Sequence, residues 1–161
     1  MIIINHPDKF QFKEDITMGI LYAIIAGATM SIQGVMNTRL GEKIGLFEAN
    51  AFMQGTAFAL SMIVALAAGK GSFSGIMSAN KLYLFGGVLA MVITVTVMLG
   101  MGRLTPATAV SVILIAQLLV AAVIDAFGLM GTEKVPFTWN KYAGLLVMIS
   151  GMLLFKWDGK M

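Results

Sequence analysis

The stretch ITMGILYAIIAGATMSIQGVMN, residues 16–37, decides the fold, because none of its 22 residues is charged. As an α-helix rising about 1.5 Å per residue, it would be roughly 33 Å long and could cross a hydrocarbon core of about 30 Å. Three further uncharged runs, each of 21 residues, follow at 49–69, 82–102 and 104–124. The sequence therefore predicts an all-α membrane protein.

A fifth apolar run, 142–155, has only 14 residues. Trp139 and Trp157 flank this run as an aromatic belt, beside lysines that could reach the membrane surface, so we count it as a span. The predicted domain comprises five spans, at about 16–38, 48–69, 82–102, 104–125 and 140–157, between a polar tail at 1–15 and a short tail at 158–161.

Two connections between the spans carry turn signals. Spans three and four are separated by little more than Gly102 and Arg103, with Thr105 as the N-cap and Pro106 at the first helical position of span four. These spans are predicted to form a tight hairpin. The longest link, 128–140, is read as a polar loop with no room for another domain.

Composition excludes several classes of function. Hydrophobic residues make up 58% of the chain and charged residues 12%, whereas soluble domains carry about a quarter charged residues. The eleven Lys and Arg residues are scattered singly, so no nucleic-acid surface is predicted. Cysteine is absent, histidine occurs once, and the chain lacks the protease, hydrolase and phosphate-loop motifs. We therefore predict no enzyme activity, no metal site and no cofactor.

The basic residues are almost evenly divided between the two membrane faces. Five spans would place six Lys and Arg on one face and five on the other, so the positive-inside rule favours neither orientation. Such balance is expected of a chain with dual topology that pairs head to tail as an antiparallel homodimer, as in inverted-repeat transporters. Short basic loops that balance by chance are the simpler alternative.

Five amide side chains lie within predicted spans one, two and four. Gln33 and Asn37 share one face of span one, Asn50 and Gln54 are four residues apart in span two, and Gln117 lies in span four. Polar groups in hydrocarbon are costly unless they face protein or water. We predict that these amides line a cavity and replace the hydration shell of a solute. The alternative is that they join helices through hydrogen bonds.

Ionisable groups are confined to the ends of the spans. Asp125, at the end of span four, is the candidate for proton or ion coupling, since a partly buried carboxyl group can exchange a proton with a solute. Glu48 is a second candidate. Arg39 and Glu48 lie around the first loop. Side chains that reach the membrane interface, or an ion pair between the two, are simpler interpretations than contact with a substrate.

Three segments carry a resemblance to a known family. The string AGATMSIQGVMNTRLGEKIG, residues 26–45, resembles the first helix of the YdcZ-like family in the drug/metabolite transporter superfamily. Residues 102–131 and 141–155 resemble that family's fourth and fifth helices in order and spacing. The resemblance implies a five-helix unit that forms half of a ten-helix inverted-repeat transporter. It further implies a multi-pass protein of a bacterial inner membrane, assembled as an antiparallel homodimer or with a related chain.

The resemblance also implies function. We expect a transporter, working as an exporter, that moves a small organic solute or metabolite by alternating access. Small multidrug transporters of the same superfamily use a buried glutamate in their first helix, whereas this chain has Gln33 and Asn37 there. Two alternatives stay open, namely a membrane scaffold or partner subunit that transports nothing, and a passive channel.

Overall fold

A computed structural model describes residues 9–157 of the chain. Every regular element in this part of the chain is helical, as the sequence predicts. Four helices contain segments long and apolar enough to cross a membrane, and a shorter apolar helix follows them. The α-helices are α1 (Lys9–Ile44), α2 (Leu46–Ala68), α3 (Gly86–Arg103), α4 (Pro106–Phe127) and α5 (Trp139–Lys156).

Helix α1 is longer than the first predicted span. It begins at Lys9, within the predicted tail, and continues to Ile44, six residues past the predicted end at 38. Backbone groups are paired inside a helix whether lipid or water surrounds it, so charged side chains do not end a helix that leaves the membrane. Residues 1–8 and the predicted tail 158–161 lie outside the described residues.

A single residue, Gly45, separates α1 from α2. Its φ of 103° lies in the region that favours glycine, and its N–H donates to the Gly41 carbonyl oxygen at 3.0 Å. Its own carbonyl oxygen accepts a hydrogen bond from the Ala49 N–H at 3.0 Å. The connection predicted between 38 and 48 is therefore helical apart from one residue.

The turn between α3 and α4 is built as the sequence predicts. Thr105 is the N-cap of α4, where its hydroxyl oxygen accepts a hydrogen bond from the Thr108 N–H at 3.3 Å. Pro106 occupies the first turn, where no N–H is required. Leu104 alone separates Arg103 from this cap, so α3 and α4 form the predicted tight hairpin.

The two ends of the bundle differ in their connections. The turn end carries the short turns at Gly45 and at 104–105. The link end carries the longer connections 69–85 and 128–138, which contain 3₁₀ helices at Phe73–Ser78, Lys81–Phe85 and Leu129–Gly131. The Tyr83 hydroxyl donates to the Met130 carbonyl oxygen at 3.3 Å and joins the two links.

Close packing is confined to the turn end. Helix α1 packs against α2, α3 and α4, while α5 contacts α4 alone among the described helices. No residue from 110 to 155 is buried. Among the residues whose burial is described, the buried side chains are Asn37, Ala49, Asn50, Met98, Met101 and Ala109.

The chain exposes far more surface than a compact monomer would. A compact protein of 17.2 kDa is expected to expose roughly 7,800 Å², whereas this chain exposes 13380 Å². The exposed side chains include most of the large apolar ones along all five helices. Lipid or other protein must therefore cover these surfaces.

Candidate functional site

A cleft runs between α1 and α4, with Val97 and Met101 of α3 at its base. It consists of three adjoining cavities that share lining residues, among them Ser31, Val35 and Pro106. The inner cavity measures about 120 Å³, the middle cavity about 620 Å³ and the outer cavity, at the turn end, about 190 Å³. We call this feature the α1–α4 cleft.

Most of the α1–α4 cleft is apolar, and polar groups lie at its two ends. The inner cavity is lined by Gly27, Met30, Ser31, Val97, Met101, Val110, Ile113, Leu114 and Gln117. The middle cavity is lined by Ser31, Ile32, Val35, Met36, Pro106, Ala107 and Val110. The outer cavity is lined by Val35, Thr38, Arg39, Glu42, Met101, Gly102, Leu104 and Pro106.

Small residues on α1 make room for the inner cavity. A Cβ atom placed on Gly27 would meet nothing within 4 Å, so the space beside this residue is open. One turn further along, Ser31 points its hydroxyl back to the Gly27 carbonyl oxygen at 3.0 Å. Because Gly27 and Ser31 are both small and lie four residues apart, they leave a gap in the surface that α1 presents to α4.

Of the predicted site residues Gln33 and Gln117, one lines the α1–α4 cleft and the other does not. Gln117, which is exposed like Gln33, lines the inner cavity and has no hydrogen-bond partner among the described residues. Gln33 is exposed on α1 and lines none of the three cavities of the α1–α4 cleft. In a single chain, Gln117 is the one predicted amide that lines this cleft.

The predicted asparagines are buried at the turn end. Asn37 is 3% exposed and Asn50 is 5% exposed. The Oδ1 atom of each side chain is buried without a hydrogen-bond partner. An unpaired buried acceptor costs about 1–3 kcal/mol, so both amides are destabilising in this arrangement of helices.

The remaining predicted site residues lie apart from the α1–α4 cleft. Gln54 is half-buried on α2. Glu48 is exposed in the first turn of α2, where a carboxylate stabilises the positive end of the helix dipole. Asp125 is half-buried in the last turn of α4, and its carbonyl oxygen accepts a hydrogen bond from the Val135 N–H at 2.9 Å. None of the three lines a cavity of this cleft.

Of the two interpretations of Arg39 and Glu48, the structure contradicts the ion pair, because Arg39 pairs with Glu42 instead. The Arg39 Nη1 atom lies 2.9 Å from the Glu42 Oε2 atom, one turn along the same helix. The helical path of α1 through residues 39–44 places these two side chains on one face, an arrangement that a loop would not have fixed. The pair lies at the mouth of the outer cavity.

Breaking this ion pair is expected to change stability little. The Arg39 and Glu42 side chains are 74% and 50% exposed, and exposed pairs contribute roughly 0–1 kcal/mol. We expect Glu42→Gln to lower the apparent melting temperature of the purified protein by no more than a few degrees. A larger loss, absent from the neighbouring Lys43→Gln control, would show that Glu42 has a further partner.

Sequence reasoning missed two features of this region. The first is the role of Met101, which lines both the inner and the outer cavity but looks like any other apolar residue of span three. The second is the pair of 3₁₀ helices that connect α2 to α3. Ser72 and Asn80 cap them, accepting hydrogen bonds from Ser74 N–H at 3.2 Å and Leu82 N–H at 3.0 Å, and these N-cap residues were the available signal.

Comparison with known proteins gives one match. A protein-family model with the description "Putative inner membrane exporter, YdcZ" matches residues 18–154. The matched region covers most of the chain and includes every lining residue of the α1–α4 cleft. No curated protein and no solved structure matches the chain significantly.

Proposed function

The chain belongs to the YdcZ family, and from this premise we propose that it exports a small organic solute across a bacterial inner membrane by alternating access. The family description gives an inner membrane location and export as the general activity. The apolar helices of the chain agree with a multi-pass membrane protein. Transport, rather than catalysis, is the activity that we assign.

The α1–α4 cleft is the observation that carries this proposal. Binding pockets for small molecules commonly measure about 300–1,000 Å³, and the middle cavity, which is an open groove in the single chain, measures about 620 Å³. The cleft is closed on one side by α3 and open on the other, as expected of half a binding site. A second copy facing this opening would complete the enclosure.

One observation supports pairing with an oppositely oriented partner, and another is compatible with it. The surface that the chain exposes beyond that of a compact monomer is large enough to contain a standard protein interface of roughly 1,200–2,000 Å² besides the surface that faces lipid. The nearly equal Lys and Arg counts on the two sides favour insertion in both orientations. We propose an antiparallel homodimer, with a related chain as the other possible partner.

Helix α5 completes the proposed half-transporter as its fifth span. Its 18 residues would rise about 27 Å, close to the thickness of the hydrocarbon core. Trp139 at its start and Trp157 just after its end are 86% and 64% exposed, as expected at the two membrane interfaces. Because α5 contacts α4 alone among the described helices, we assign it to the outside of the assembly.

The absence of cysteine makes the proposed topology directly testable. Single cysteines are introduced as Lys43→Cys at the turn end and Gly71→Cys at the link end, and cells are labelled from outside with an impermeant maleimide. In an antiparallel homodimer, each position is expected to label to about one half. Labelling of one position fully and the other not at all would exclude the antiparallel homodimer and leave pairing with a related chain or a parallel assembly.

Transport itself is tested with vesicles that contain the purified protein. The vesicles are loaded with a metabolite extract, and mass spectrometry identifies the solutes released faster than from protein-free vesicles. We expect release that saturates with internal concentration. Release that does not saturate would indicate a passive channel, and release equal to that of protein-free vesicles would favour a scaffold or partner subunit.

A further inference from the structure

We propose that the solute of the α1–α4 cleft is an uncharged amphipathic molecule, with one hydrogen-bonding group at Gln117 and an apolar body along the middle cavity. This inference rests on the proposed function and deepens it by naming the class of substrate. Three properties of the cleft lead to it: its free polar groups, its charge and the side chains along its length.

The inner cavity offers one free polar side chain. The Ser31 hydroxyl is already bonded to the Gly27 carbonyl oxygen at 3.0 Å. Gln117 has no partner among the described residues, and its amide supplies both donors and an acceptor. A solute group that both donates and accepts, such as an amide or a hydroxyl, would satisfy this side chain.

The lack of unpaired charged side chains along the α1–α4 cleft disfavours the binding of ions. No Asp, Glu, Lys or Arg lines the inner or the middle cavity. In the outer cavity, the charges of Arg39 and Glu42 neutralise each other at a separation of 2.9 Å. An ionic solute enclosed between this cleft and a second copy would lose its hydration without gaining a counter-charge from these walls.

The apolar walls fit a body of variable shape. Met30 and Met101 line the inner cavity and Met36 lines the middle cavity. Methionine side chains have three rotatable bonds and a polarizable sulfur, so they adapt to ligands of different outline. The cleft therefore discriminates between solutes by the absence of charge and the presence of one polar group more strictly than by shape.

The test uses three fluorescent probes that share one ring system and differ in charge. These are 1-naphthylacetamide, which is neutral, 1-naphthylmethylammonium, which is a cation, and 1-naphthylacetate, which is an anion. Binding to the protein in lipid nanodiscs is measured after subtraction of the signal from empty nanodiscs. We expect the neutral probe to bind at least ten-fold more tightly than either ion.

Variants of Gln117 locate the polar contact. Gln117→Leu is expected to weaken binding of the neutral probe about ten-fold, and Gln117→Glu to shift the preference toward the cation. Asn140→Leu, which removes an exposed amide at the start of α5, is the matched control and should leave all three affinities unchanged. The comparison of probes on the unmodified protein needs no variant, so misfolding of a variant cannot obscure the result.

The possible failures are distinguishable. Tighter binding of either ion to the unmodified protein would overturn the assignment of an uncharged solute and leave transport untouched. Binding of none of the probes, together with cross-links from a second copy inside the cleft, would overturn the assignment by making the cleft an interface. Selective binding of the neutral probe without saturable release from vesicles would overturn transport instead, and leave the chemistry of the cleft standing.

Discussion

Replacing Asn37 by aspartate is expected to destabilise the protein more than any other single change considered for this chain. The side chain is 3% exposed, and its Oδ1 atom has no hydrogen-bond partner. The variant keeps the shape of the side chain but buries a carboxylate without a counter-charge, which costs about 3–5 kcal/mol. The apparent melting temperature in detergent should fall by roughly 6–20 °C.

Asn37→Leu is the matched control for this prediction. Leucine has the same number of side-chain heavy atoms but carries no acceptor, so it removes the unpaired oxygen without leaving a hole. We expect stability within about 1 kcal/mol of the original protein, or above it. If Asn37→Leu proved as damaging as Asn37→Asp, the amide would have to act as a hydrogen-bonding link between helices.

The second large effect is expected at Gly34, where α1 and α3 approach closely. A Cβ atom on Gly34 would lie 2.6 Å from Met101 Cε and 3.3 Å from Val97 Cγ1. The methionine can move aside for an alanine, but Gly34→Leu would push the two helices apart. Such overpacking costs roughly 1–3 kcal/mol or more, and we expect loss of folded protein on size-exclusion chromatography after mild heating.

Gly19→Leu provides the control on the same helix. A Cβ atom at Gly19 would meet nothing within 4 Å, and leucine favours the helix over glycine by about 0.5–1 kcal/mol. This variant should be as stable as the original protein or slightly more so. Equal loss of stability at Gly19 and Gly34 would mean that the contact with Met101 does not hold α1 against α3.

The sequence predicted the four long helices well, because an uncharged run of about 20 or more residues pairs all its backbone groups within itself only as a helix. The start of α4 at Thr105 and Pro106 was also predicted from the sequence, since each residue type favours one position at the start of a helix. The connection between the first two spans, expected as a loop, is helical apart from Gly45. Charged residues there report where side chains meet water, whereas the backbone leaves the helix only at Gly45.

The candidate site was harder to predict for a physical reason. In lipid, a helix is apolar on every side, so periodicity does not reveal which face packs against another helix. Gln33 and Asn37 share a face by spacing, yet one is exposed and the other buried. Gly34, the residue after Gln33, approaches Met101 closely, so the packed face reaches the level of Gln33 and Gln33 lies beside it. The edge of a contact around α1 cannot be read from the spacing of residues.

The difference between the packed turn end and the loosely packed link end bears on the free-energy difference between the inward-open and outward-open forms. In a head-to-tail homodimer, each membrane face would carry one turn end and one link end. A rotation of 180° about the axis in the membrane plane would then convert the inward-open form into the outward-open form. In a symmetric bilayer the two forms would be degenerate, with an equilibrium constant of one. The direction of flux would then be set by gradients alone, and only a non-identical partner chain or unequal leaflets could bias it.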